Sequence, residues 1–164
     1  MGWNVGVLCI KADINEVDNI LDIFYKSEVG LCFEEITSVS MGKALGVGHT
    51  ESWILIVDTL GRFIRDSRFT IELSHKFKLK MFWIAEALIY RDYYFDNIKK
   101  GGIKFELKGK SDGLRYLNDM GVKAIDNWGE TIIFQIIEKE IFDKCNHNFD
   151  TSLMNLRYAK YELD

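Results

Sequence analysis

The stretch ESWILIVDTLGRFIRDSRFTIELSHKFKLKMFWIAEALIYRDYYFDNIKKGGIKFEL, residues 51–107, alternates short apolar runs with charged turns. Within it, Ser52 to Val57 is dense enough in apolar side chains for a central strand buried on both faces. The Asp58-Thr59-Leu60-Gly61 turn then predicts a hairpin with a short return at Phe63-Ile64. Phe77, Leu79, Met81 and Trp83 alternate with Lys78 and Lys80. Ala87 to Phe95 continues as a partner strand, and Ile103, Phe105 and Leu107 alternate with Lys104, Glu106 and Lys108. Three consecutive strands joined by short turns make a meander.

Outside this stretch, Trp3 to Ile10 predicts a first strand, and Asp13 with Glu16 opens a helix as a capping box. Ile14, Val17, Leu21 and Phe24 give that helix an apolar face, and it ends before Gly30. Cys32 to Met41 is compatible with a strand, whereas Gly42, Gly46 and Gly48 break the segment leading to Glu51. A short helix is expected over Asp66 to Ser74, with Ser67 as its cap, and another over Asp112 to Met120. Asn127-Trp128-Gly129-Glu130 offers a capping box ahead of Ile132, Ile133, Ile136, Ile137 and Ile141, which mark an amphipathic helix. Leu156 to Leu163 adds a final edge strand. The expected fold is α+β, a mostly antiparallel sheet (meander) with two main helices packed against it, in a single globular domain spanning residues 1–164.

A chain of 164 residues buries roughly 70% of its unfolded-state surface. With 11 Phe, 7 Tyr and 4 Trp, it is far from the composition of disordered chains. The chain has no proline, so its turns rest on Gly, Asn and Asp. The opening residues lack a signal-peptide pattern, and no apolar run approaches the ~20 residues of a membrane helix. Cys9, Cys32 and Cys145 are odd in number and lack CxxC spacing, as expected of free thiols in a reducing compartment. These features point to the cytoplasm and to no membrane partner.

Net charge is −4, unevenly spread. Residues 1–42 carry two basic and seven acidic side chains, residues 43–110 thirteen and eight, and residues 111–164 six and ten. Acidic ends flank a basic middle. Overall acidity disfavours a dedicated nucleic-acid binder, although Lys76, Lys78, Lys80, Lys99, Lys100, Lys104 and Lys108 could line one basic face beside Tyr90, Tyr93 and Tyr94. A solvated face with lysines guarding sheet edges explains the same residues.

Catalytic signatures are sparse. Gly46-Val47-Gly48-His49 has neither the GxGxxG spacing nor the lysine of a phosphate loop. His49 with Glu51, and with Asp58 across a hairpin, could supply a general base and its orienting acid. A deep pocket beside His49 and Glu51 would favour a small hydrolase or ligand-binding enzyme, and a flat, exposed His49 would count against it. Glu34 and Glu35 are adjacent and would point to opposite faces of a strand. Cys145 and His147 are too few ligands for a metal, so neither a metal nor a cofactor is expected. Tyr90, Asp92, Tyr94 and Asp96 alternate onto one face, a mix of aromatic and acidic groups suited to recognising a protein partner.

Ser52-Trp53-Ile54-Leu55-Ile56-Val57-Asp58, followed by Gly61-Arg62 and Glu72-Leu73-Ser74, resembles small bacterial immunity proteins of polymorphic toxin systems. The resemblance spans residues 44–95, with Ser52 where that pattern has glycine before the tryptophan. It implies a non-enzymatic protein that blocks the surface of a cognate toxin, and it assigns no site residue.

Overall fold

The computed structural model describes residues 3–41, 43–95, 102–145 and 151–163. Its strands are β1 (Val5–Lys11), β2 (Phe24–Leu31), β3 (Leu45–His49), β4 (Trp53–Thr59), β5 (Leu79–Ile84), β6 (Ile89–Tyr93), β7 (Ile103–Lys108) and β8 (Tyr158–Leu163). Its helices are α1 (Val17–Ile20), α2 (Phe33–Ile36), α3 (Ser67–Ser74), α4 (Gly109–Asp119), α5 (Gly129–Phe142) and α6 (Ser152–Asn155). The strands form one sheet in the order β2-β8-β3-β4-β1-β5-β6-β7, antiparallel throughout. The protein is thus α+β, with β5, β6 and β7 forming the expected meander.

Period-two alternation splits the central strands between two apolar layers. Val7, Cys9, Leu55, Val57, Phe82 and Ile84 face α4, α5, α2 and α6. Leu8, Ile10, Ile54, Ile56, Met81 and Trp83 face the opposite side, where α1 and α3 lie. Burial on both faces explains the unbroken apolar run of β4. The isoleucines of α5 are buried, and α4 packs closely on it: a Cβ on Gly113 would lie 2.7 Å from Ile132 Cγ2.

Several elements differ from the sequence reading. The helix expected from Asp13 shrinks to a 3-10 turn and the single turn of α1. Phe24 onward is instead strand β2, paired with β8 from Phe24↔Leu163 to Leu31↔Tyr158. That pairing also places β8 inside the sheet, not at its edge. Cys32 to Met41 holds the single turn of α2 and a 3-10 turn at Val39–Met41 in place of the expected strand, because Glu35 Oε2 accepts from the Cys32 N–H at 2.7 Å and Phe33 and Ile36 bury the same helix side.

The return strand at Phe63-Ile64 does not form. Asp58 Oδ2 accepts from both amides, at 2.7 and 2.9 Å, and holds the segment as turns. β4 pairs with β3 instead, the segment expected to be broken by glycines. Gly46 and Gly48 sit within β3 because side chains occupy the space beside them: a Cβ would meet Ile36 and Tyr158 at 2.7 Å in each case. Asp66 caps α3 by accepting from the Arg68 N–H at 2.9 Å, and the Ser67 side chain lies outside the described residues. At α5 the Asn127 capping box gives way to Asp126, which accepts from the Trp128 N–H, and Glu86, which accepts from the Gly129 N–H at 3.0 Å.

Candidate functional site

On the α3 side of the sheet, a groove of about 610 Å³ opens between α1 and α3. Phe24, Phe63, Phe69 and Phe77 line it, with Leu45 and Ile20 among the other apolar groups. Phe24 and Phe63 meet edge to face at 5.1 Å between ring centres. The aromatics come together because the turn after α1 delivers Phe24 as β2 begins, while the Asp58-anchored turns present Phe63 beside α3. Glu16, Asp22, Asp66 and Glu72 contribute four carboxylates to the walls, against Arg62 and Lys76. Asp22, Asp66 and Glu72 are exposed. An aromatic floor under an acidic rim suits cationic side chains, which gain from both the ring faces and the carboxylates.

On the opposite face, the residues expected to form a partner-binding surface go elsewhere. Tyr90 is buried at 1% exposure because its β6 face lies under α4 and α5, so it offers nothing to a partner. Its ring stacks on Phe82 at 4.7 Å, and its hydroxyl accepts from Lys80 Nζ at 2.6 Å. Lys80, read as solvent-facing, is buried here too. Its ammonium lies 3.7 Å from Asp92 and 3.5 Å from Glu140, and the Tyr116 hydroxyl donates to Glu140. Burial, and then the Glu140 charge, push the Tyr90 phenol far above its usual range. Tyr94 is half-buried, and Asp96 lies outside the described residues. The cluster therefore gathers one ammonium and two carboxylates beneath α4 and α5.

No family model, curated protein or solved structure matches the chain significantly. Its own geometry is what speaks to function.

His49 is exposed and borders an open cleft of about 370 Å³ with Arg157 and Tyr161, which Glu51 does not line. Asp58 sits at the far end of β4 from His49, whose strand partner is Ile54, and its carboxylate is committed to the Phe63 and Ile64 amides. The structure thus does not gather His49, Glu51 and Asp58 into a catalytic group. Glu34 is exposed on α2, and Glu35 caps that helix. Among the described residues no three His, Cys, Asp or Glu side chains group as metal ligands; Cys145 is exposed and unpaired, and His147 lies outside them.

The lysines do not share one face. Lys80 turns inward, Lys76 lines the groove, Lys108 pairs with Glu106 at 3.4 Å on the edge strand, and Lys99 and Lys100 lie outside the described residues. No helix among the described residues is long and apolar enough to cross a membrane. Sequence reasoning missed the groove because its residues were divided among an expected helix, a hairpin and a short helix. The signal it left was the concentration of acid in residues 1–42.

Proposed function

We propose that this protein binds another protein rather than catalysing a reaction, and that it acts as an immunity protein, covering a basic surface of a cognate bacterial toxin. The observation that carries this reading is the groove between α1 and α3, with Glu16, Asp22, Asp66 and Glu72 around Phe24, Phe63, Phe69 and Phe77. A partner segment bearing Arg or Lys would place its cations among the carboxylates and lay its apolar stems on the rings. Complementary charge of this kind speeds association and orients the partner, while the buried aromatic contacts slow dissociation. The cytoplasm is the compartment in which such a protein meets a toxin made in the same cell.

Co-expression with the product of each neighbouring open reading frame tests the reading, scoring rescue from growth arrest and recovery of a stable complex. Rescue with complex formation, lost in the double variant Asp22→Lys/Glu72→Lys, supports it. Both substitutions lie on exposed positions of the groove rim, so folding should survive them. Absence of rescue by every neighbour, or rescue unaffected by the double variant, counts against it.

A further inference from the structure

The 3-10 turn at Ile14–Glu16 and α1 divide one face of the sheet into two openings. On one side lies the acidic groove, with Glu16 and Asp22 on its wall. On the other lies the cleft of about 370 Å³ between this segment and strands β2, β3 and β8, and its charge is of the opposite sign. Lys26, His49 and Arg157 line it, against Asp18 as its single carboxylate. In a chain of net charge −4, basic groups gathered in one cleft create a local field that draws anions.

Separate stretches of the chain deliver these groups. His49 closes β3, two residues beyond Val47 and therefore on the same side of the strand, and Val47 faces the layer where α1 lies. Arg157 stands in the link between α6 and β8. Lys26 is opposite Tyr161 in the β2–β8 ladder and shares its face. That ladder slips between Lys26 and Glu28 and again between Glu28 and Leu31, which bends the strand. Val29 and Gly30 from the slipped segment form part of the cleft wall. Gly30 takes φ +74° there, a conformation glycine adopts without steric cost.

The basic groups are available to a ligand. Lys26, His49 and Arg157 are exposed, and no salt bridge among the described residues engages them. Lys160 on β8, by contrast, pairs with Glu162 at 3.6 Å. His49 Nδ1 lies 3.4 Å from the Thr50 carbonyl, which leaves Nε2 for a ligand. The Arg157 charge acts on Glu35, whose carboxylate is already bonded to the Cys32 N–H. Burial, and then the Asp18 charge, raise the Tyr161 phenol. Asp18 therefore sits beside Tyr161, the strand partner of Lys26, and Lys26 offsets it there. Val47 and Ala159, paired across β3 and β8, give the cleft an apolar floor.

We propose that this cleft binds a small organic phosphate monoester, with its phosphate between His49 and Arg157 and its organic body on Val47 and Ala159. A phosphate dianion carries charge for both basic groups, and a guanidinium meets its oxygens through two parallel hydrogen bonds. Side chains, rather than the backbone of a glycine loop, hold the phosphate. The apolar floor serves a carbon body rather than a bare inorganic ion. Lys26, His49, Arg157 and Asp18 do not line the acidic groove, so this site stands or falls independently of the toxin-binding reading.

Proton NMR on the full chain tests this, following the His49 ring signals during titration with phenyl phosphate. Inorganic phosphate and phenol are the comparison probes, and His49→Gln assigns the signals. Phenyl phosphate is expected to shift them saturably, inorganic phosphate to bind several-fold more weakly, and phenol to leave them in place. Arg157→Gln should raise the phenyl phosphate dissociation constant about tenfold, because a charge-assisted pair is lost. Asp18→Asn should lower it, because the one opposing charge is removed. Both positions are exposed, and circular dichroism checks the fold. Absence of a saturable shift, inorganic phosphate or phenol acting as strongly as phenyl phosphate, or a dissociation constant unmoved by Arg157→Gln would overturn the proposal. If Arg157→Gln does not fold, Asp18→Asn decides, an unchanged or raised constant being the contrary result.

Discussion

Lys80 donates to the Tyr90 hydroxyl at 2.6 Å from a position beneath α4 and α5, with Asp92 and Glu140 as its counter-ions. Removing one member of a buried charge group leaves the others desolvated and unbalanced, which costs more than the group contributed when complete. Lys80→Met should therefore lower unfolding free energy by about 3 kcal/mol, measured by urea denaturation. Adding Glu140→Gln to that variant should recover part of the loss; a double variant as unstable as the sum of the two single changes would show the charges to be uncoupled.

Gly129 at the start of α5 has no room for a side chain. A Cβ there would stand 2.0 Å from the Glu86 backbone oxygen, and the Gly129 N–H is itself bonded to the Glu86 carboxylate. Since the obstacle is backbone, a neighbouring rotamer change cannot relieve it. Gly129→Ala should cost on the order of 3 kcal/mol, despite the helix propensity that alanine brings. A thermal melt unchanged from wild type would contradict this packing.

Asp58 supplies a pH test. Burial raises its pKa above the ordinary value of 3.8, opposed by hydrogen bonds from the Ile64 and Phe63 amides. The folded state then keeps the proton to higher pH than the unfolded state. Its contribution to stability is fully present below the unfolded pKa and is lost as pH rises through the folded one. Asp58→Asn has no such proton, so the stability of wild type minus that of the variant should fall as pH is raised from below 3.8. Asp58→Ala abandons both amides and should cost about 1–3 kcal/mol. Denaturation midpoints across an acidic pH series check both.

The three cysteines are unpaired but differently placed: Cys9 is buried, Cys32 half-buried and Cys145 exposed. Burial pushes the Cys9 thiol far above its usual range, and thiolate is the reactive form. Native labelling with a maleimide should modify Cys145 first and Cys9 only on unfolding, as read by mass spectrometry of the fragments. Early modification of Cys9 would place β1 nearer solvent than the sheet order allows.

The sequence by itself determined the β5–β7 meander, β1, β4 and α3 through α5. In each of these the hydrophobic period is carried by neighbouring residues, and the period follows from backbone geometry alone. Its isoleucines marked α5 for burial without any knowledge of what covers it. Only the tertiary structure decided the rest. Phe24 to Leu31 has apolar residues that fit a helix or a strand, and the chain becomes β2 because its partner is β8, at the opposite end of the sequence. Gly46 and Gly48 signal a turn locally, yet belong in a strand because Ile36 and Tyr158 fill the space of their missing side chains. Lys80 alternates as a solvent residue does, and faces inward because its counter-ions arrive from β6 and α5. The groove depends on the same kind of distant contact: its acids and aromatics meet only when the turn after α1, the Asp58 turns and α3 are brought to one side of the sheet. Local periodicity can state that a side chain will be buried or exposed on its own element, but not which distant group will meet it.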